Sequence, residues 1–212
     1  REPSEALNIA ESFVWATGRK HPRVQTGWKH IGGSLALACI LYRIGRVLSA
    51  YSSIGNLVRE CYMEGGVEHA MRELLRCLLS ETCPNLCEGA SGEQGCRIRR
   101  VLPNPEGRSA LKRICLYFRW MVRPYPDLRL WRFIKPSELY WPVDRGIKRV
   151  LGRLGLIGGN GKAVSWADVV EVTERFREIN PEDPVAYDFV ISRLPILKIC
   201  RKDPYESLCQ IC

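Results

Sequence analysis

Apolar residues recur at steps of three and four along almost the whole chain, and no stretch sustains the alternation of apolar and polar residues that strands require. This spacing is typical of helices that bury one face. The pattern predicts an all-α fold, with helices over about 4–17, 33–50, 54–63, 67–80, 108–123, 145–155, 166–179 and 184–194. Ser165 followed by Asp168 predicts a capped helix start, Asp183 before Pro184 predicts another, and Pro195 predicts a helix end.

The length of the chain limits its organisation. At 212 residues it can form one domain or two small lobes with a sizeable core. The longest mainly apolar run, residues 31–42, contains two glycines and is shorter than the ~20 residues of a membrane-spanning helix. We therefore expect a buried helix there, no membrane partner and, since no signal peptide is visible, a cytoplasmic location.

The charge of the chain is strongly positive. Lys and Arg together number 32 against 23 Asp and Glu, a net charge of +9, and most of the 32 are arginine, which forms forked contacts with phosphate. The clusters at 97–100 (RIRR) and 145–149 (RGIKR) make the charge local. This favours a face that binds a polyanion, although genome composition or heat adaptation in a thermophile also produces arginine-rich chains.

The ten cysteines fall into groups with different expected roles. Four stand alone in apolar, helix-like surroundings, where cysteine behaves as a small core residue: Cys39, Cys61, Cys77 and Cys115. Cys83, Cys87 and Cys96 share a loop rich in glycine, proline and asparagine. They predict either a disulfide with a spare thiol, as in proteins of hyperthermophiles, or a metal site shared with Cys77.

Two charged residues are candidates for catalysis. Lys112 borders the apolar stripe of a predicted helix, where partial desolvation can turn an ammonium group into a nucleophile, although such a lysine is usually a surface residue. Asp144 precedes the helix that begins near Arg145, so its carboxylate can act as an N-cap. An anion fixed at a helix start can also stabilise a cationic sugar while an N-glycosidic bond breaks.

Basic and aromatic residues near these candidates predict contacts with nucleic acid. Arg119, Trp120 and Arg123 follow Lys112 on the same predicted helix and can supply phosphate contact and base stacking, or equally packing and ion pairs. The cluster after Asp144 supplies Arg145, Lys148 and Arg149 as further candidates.

The region around both candidates carries a family resemblance. The segments SALKR (109–113), FRWMVR (118–123), IKPSELYWPVD (134–144) and RLGL (153–156) resemble the signature of an uncharacterised prokaryotic family related to the helix-hairpin-helix DNA glycosylases. The resemblance is specific over about 102–157 and continues through 180–189. It implies a two-lobed helical fold with the active site in the cleft between lobes, residues 26–138 forming the middle lobe and 1–25 with 139–212 the terminal lobe.

The resemblance also implies a function. It matches Asp144 to the essential aspartate of the superfamily and Lys112 to the lysine that attacks the sugar in bifunctional members, and the placement of both is similar to that in archaeal 8-oxoguanine glycosylases. The implied activity is base-excision repair by a DNA glycosylase, with strand cleavage as an AP lyase if Lys112 forms a Schiff base. The substrate would be double-stranded DNA with a damaged base, flipped out of the stack, and the enzyme would act as a monomer.

The last cysteines and the missing hairpin each add an expectation. Cys200, Cys209 and Cys212 are spaced like part of the four-cysteine site that holds a [4Fe-4S] cluster in some of these glycosylases, with zinc as the alternative. The usual L-P-G-V-G-R-K-T-A hairpin sequence is absent. Its absence favours an alternative function, a non-catalytic nucleic-acid-binding protein on a glycosylase scaffold.

Overall fold

The structure is a computed structural model that describes residues 34–80, 101–158, 163–201 and 203. Within these ranges there are six α-helices, one short 3-10 helix and no β-strand, so the predicted all-α class is confirmed at this level. Contacts divide the chain into two compact units, 1–107 and 108–212. The lobe boundaries implied by the family resemblance stay a prediction.

In the N-terminal unit the described residues form two helices that pack against each other, α1 (Ser34–Tyr51) and α2 (Ile54–Ser80). Residues 65 and 66 of α2 leave helical geometry, and Gly66 has a φ of 76°, which glycine adopts without the steric cost of a side chain. The kink coincides with the predicted break between helices 54–63 and 67–80. Buried Arg43 ties the two helices together, because its guanidinium donates to the carbonyl of Leu78 at 2.8 Å.

The described residues of the C-terminal unit form the other four helices and the 3-10 turn. In chain order these are α3 (Lys112–Val122), the 3-10 turn (Pro136–Glu138), α4 (Arg145–Arg153), α5 (Trp166–Ile179) and α6 (Asp188–Ile196). Helix α4 packs against α6. Trp141 is fully buried in this unit. Its ring lies 4.2 Å from that of Phe176, and its indole N–H donates to the carbonyl of Pro184 at 2.6 Å.

Most helix predictions that fall on described residues agree with the structure, and the larger disagreements lie at the start of α3 and at the ends of α6. Helix α3 begins at Lys112 and not at residue 108, because Leu111 has a left-handed φ of 47° that a helix cannot continue through. Asp183 does not cap a helix beginning at 184, because residues 184–187 form turns and α6 begins at Asp188. The helix also includes Pro195 and ends one residue after it. A proline near a helix end loses little, since the next amides bond backwards to Arg193 and Pro195. The predicted helix at 4–17 lies outside the described residues.

The capping box at the start of α5 is confirmed. The Ser165 hydroxyl accepts the backbone N–H of Asp168, and the Asp168 carboxylate accepts the backbone N–H of Ser165 at 2.7 Å. We expect Ser165→Ala to lower the free energy of unfolding by about 1 kcal/mol, because it removes the cap. Ser165→Asn is expected to leave the free energy of unfolding nearly unchanged, because asparagine also caps a helix. Denaturant titration of both variants measures the difference, and equal losses would contradict the capping role.

Within the described ranges, the helices are all too short or too polar to cross a membrane.

Candidate functional site

Lys112 is the first residue of α3. The chain reaches it through Leu111, which is buried and has a left-handed φ of 47°. Because leucine has no polar side-chain atom, the helix starts without a side-chain cap. The predicted apolar stripe is confirmed, because Ile114, Cys115, Phe118 and Val122 are all buried. Lys112 itself is only half-buried, with 39% of its side chain exposed. The helix thus fixes the lysine backbone at the edge of the core and leaves part of its side chain exposed.

Asp144 is the N-cap of α4, as predicted. Its backbone is extended, and its Oδ1 accepts the backbone N–H of Ile147 at 2.9 Å. The neighbouring Gly146 is confined, because a Cβ at that position would lie 3.1 Å from Asp144 Oδ1 and 3.0 Å from Pro195. Any larger residue after Arg145 would therefore press on the carboxylate.

The two predicted catalytic residues are in contact. Lys112 Nζ lies 2.5 Å from Asp144 Oδ2, a pairing that joins the starts of two helices 32 residues apart in the sequence. Burial by itself would raise the pKa of Asp144, but the hydrogen bonds from Lys112 and Ile147 outweigh it and hold the pKa below its usual range. Asp144 is therefore a fixed anion at neutral pH, with one oxygen committed to the helix and the other to the lysine.

Asp188, which we did not predict from the sequence, is a third charged member of this cluster. It is 2% exposed, and its Oδ2 accepts from Arg119 Nη1. Its Oδ1 is buried and has no hydrogen-bond partner among the described residues. Burial raises the pKa of Asp188, Arg119 partly offsets this, and the charges of Lys112 and Asp144 also act on it. A lone acidic residue between Tyr187 and Phe189 was the sequence signal for a buried carboxylate.

Arg119 and Arg123, predicted as candidates for DNA contact, form ion pairs; Arg119 is buried and Arg123 is largely buried. Arg119 pairs with Asp188 and, through Nε at 3.3 Å, with Asp127. Arg123 pairs with the same Asp127 at 2.9 Å and with Asp183 at 2.8 Å. These contacts correspond to the packing alternative for both arginines, and contact with DNA stays a prediction.

The remaining predicted nucleic-acid contacts differ in exposure. Arg145 is exposed and Trp120 is 46% exposed. Lys148 is largely buried and pairs with Asp168 at 2.8 Å, while Arg149 donates to the carbonyl of Cys200 at 3.2 Å. Trp120 and Arg145 are thus the members of this group with the freest access to a ligand.

The cysteine predictions are only partly within the described residues. Cys39, Cys61 and Cys115 are buried as predicted, and Cys77 is partly exposed. Cys200 is buried and its Sγ accepts from Arg153 Nη1 at 3.1 Å. The other loop and tail cysteines lie outside the described residues: Cys83, Cys87, Cys96, Cys209 and Cys212. The described part of the chain contains no group of three metal-ligating side chains, so the [4Fe-4S] or zinc site stays a prediction.

Comparison with known families gives one match. A family model described as "Protein of unknown function (DUF2400)" matches residues 23–197, which include Lys112, Asp144 and Asp188. Comparisons with curated proteins and with solved structures gave no match.

Proposed function

The chain belongs to this family of proteins of unknown function, and we propose from the geometry of its site that the protein is a DNA glycosylase with AP lyase activity. The observation that carries the proposal is the 2.5 Å contact between Lys112 and Asp144. It joins a primary amine with a fixed carboxylate at a half-exposed position, 39% and 40% exposed, that a substrate can reach. An amine and an anion are the two groups that lysine-dependent cleavage of an N-glycosidic bond requires.

In this proposal each residue has one role. Asp144 keeps its negative charge and stabilises the positive charge that develops on the sugar as the bond to the base weakens. Lys112 first loses a proton to solvent, since its side chain is 39% exposed, and then forms a bond to C1′ through its lone pair. The bond between C1′ and the base breaks with its electron pair on the base, and the base takes up the proton that the newly bonded nitrogen releases. Opening of the sugar then gives a Schiff base, from which β-elimination cuts the strand. The nucleotide must leave the helical stack to reach both groups.

Borohydride trapping on duplex DNA that carries an abasic site or 8-oxoguanine tests the proposal. Borohydride reduces a Schiff base to a stable amine, so wild-type protein is expected to become covalently joined to the DNA and Lys112→Ala is not. Lys135→Ala removes an exposed lysine elsewhere in the same unit and is expected to leave the adduct unchanged. An adduct that persists in Lys112→Ala, or none with wild type on either DNA, would contradict lysine chemistry.

A non-catalytic nucleic-acid-binding protein is the second candidate. It is favoured by the missing hairpin sequence and by the fact that Lys112 and Asp144 neutralise each other without any ligand. Salt-sensitive DNA binding without adduct or base release would favour this candidate.

A further inference from the structure

An exposed apolar and basic surface begins in the last turn of α3, continues into the segment after it, and is not used by the proposed chemistry. It comprises the exposed side chains of residues 120–132, hereafter the 120–132 surface. Its apolar members are Trp120 at 46% exposure, Tyr125 at 92%, Leu128 at 59% and Leu130 at 66%. Arg129 and Arg132 are exposed beside them. Four large apolar side chains are thus exposed within eleven residues of the sequence, and exposed apolar side chains that lie together mark interaction sites.

The backbone beneath this surface is firmly held. The amide of Leu128 donates to the carbonyl of Trp120 at 2.8 Å, and the amide of Trp131 donates to the carbonyl of Met121 at 2.8 Å. The side chain of Trp131 is buried, with its ring 5.1 Å from that of Phe118. The exposed side chains therefore stand on a backbone that does not need to be ordered when a ligand binds, which lowers the entropic cost of binding.

Ion pairs on the inner side hold the turn that contains Asp127. Asp127 is 6% exposed and accepts from both Arg119 and Arg123, so its charge is neutralised inside the protein. Arg129, two residues later, has a left-handed φ of 50°, a conformation that costs a non-glycine residue about 1 kcal/mol or more. The acidic residue of the turn thus points inward, while Arg129 and Arg132 remain exposed.

The chemistry of the surface selects its partner. Exposed arginines attract a polyanion, and flat or apolar side chains pack against the faces of bases. A base pair within a duplex hides these faces, whereas unpaired bases present them. Trp120 lies eight residues beyond Lys112 on the same helix, a rise of about 12 Å, or roughly two to four nucleotides of a single strand.

We infer that the 120–132 surface binds unpaired bases of a DNA strand, close to the nucleotide that reaches Lys112. The inference rests on the proposed function only in taking DNA as the substrate. It predicts that the protein binds locally unpaired DNA, such as a duplex with an abasic site or a mismatch, more tightly than a fully paired duplex.

Equilibrium binding tests the inference without using the chemistry. Wild-type protein is titrated onto a paired duplex and onto the same duplex with three unpaired nucleotides, one of them 2-aminopurine, whose fluorescence falls when it stacks on an aromatic ring. Tyr125→Ala is expected to weaken binding to the unpaired DNA about 10-fold and to restore the fluorescence, while Tyr125→Phe keeps both. Met63→Ala, which removes a side chain that is 77% exposed in the N-terminal unit, is the matched control.

Each outcome decides between the possibilities. Loss of the preference for unpaired DNA in Tyr125→Ala, but not in Met63→Ala, supports the inference. Equal binding by wild type and Tyr125→Ala overturns it, as does a wild-type protein that binds no DNA and instead self-associates through this surface. The trapping experiment reports on Lys112 alone, so an absent adduct together with Tyr125-dependent binding would overturn the proposed chemistry and leave the inference standing.

Discussion

Asp144→Asn is expected to lower single-turnover base release by on the order of 100-fold or more, while changing the stability of the protein by less than about 1 kcal/mol. Asparagine caps a helix as well as aspartate does, so the bond from the Ile147 amide persists. The ion pair with Lys112 is lost, but half-exposed pairs contribute little to stability. What disappears is the negative charge beside the sugar. Quenched single-turnover assays and denaturant titration measure the two effects separately.

Asp168→Asn is a closely matched control for this experiment. Asp168 also lies at a helix start, also pairs with a lysine, Lys148 at 2.8 Å, and also has its pKa lowered by hydrogen bonds that outweigh burial. If Asp144 acts on the substrate, Asp168→Asn retains base release and Asp144→Asn loses it. Equal losses of activity, or unfolding of Asp144→Asn, would mean that the carboxylate serves the fold alone.

Arg119→Met is expected to destabilise the protein by about 3 to 5 kcal/mol at neutral pH, because it leaves buried Asp188 without its cation. Asp127 keeps its bond to Arg123, but Asp188 has no second partner among the described residues. Four of the six tryptophans lie in the C-terminal unit, so tryptophan fluorescence during denaturant unfolding follows mainly that unit. Arg175→Met, at an exposed arginine, is expected to cost less than about 1 kcal/mol.

The direction of the pH dependence follows from the carboxyl that is left behind. The pKa of Asp188 is already raised in the folded protein, so the folded state binds a proton at higher pH than the unfolded chain does. Arg119→Met removes a charge that lowers this pKa, so the pKa of Asp188 is higher still in the folded variant. The loss of unfolding free energy is therefore largest at pH values above that pKa, where Asp188 is charged, and it shrinks as the pH falls and Asp188 becomes protonated. The double variant Arg119→Met, Asp188→Leu removes the stranded charge and is expected to recover part of the loss. A deficit that is independent of pH and unrelieved in the double variant would contradict this explanation.

The local signals of the sequence were the most informative ones. The three-and-four spacing of apolar residues predicts the helices, and Ser165 and Asp144 both cap where the sequence places them. These features depend on residues within one or two turns of each other, so neighbouring side chains decide them. The predicted start of α6 was wrong because a contact with a distant residue decides it. Asp183 is suited to cap a helix at 184, but it pairs instead with Arg123, 60 residues earlier in the chain.

The charged residues of α3 illustrate the limit of sequence reasoning about the site. Periodicity places Lys112, Arg119 and Arg123 on the same helix, but their partners come from other segments. Lys112 meets Asp144, Arg119 meets Asp188, and Arg123 meets Asp183, over sequence separations of 32 to 69 residues. No local pattern distinguishes an arginine that contacts a ligand from one that neutralises a buried carboxylate.

The sequence by itself determined that this protein is helical, where most of its helices begin, and that Asp144 caps one of them, since propensity, spacing and capping act over a few residues. Tertiary structure alone decided that Lys112 touches Asp144, that Asp188 joins them as a buried carboxylate, and that Arg119 and Arg123 support a turn whose outer side chains are left exposed. These features arise when distant segments pack together. A buried charge without a partner is costly, and only the packed chain brings residues from distant segments close enough to pair.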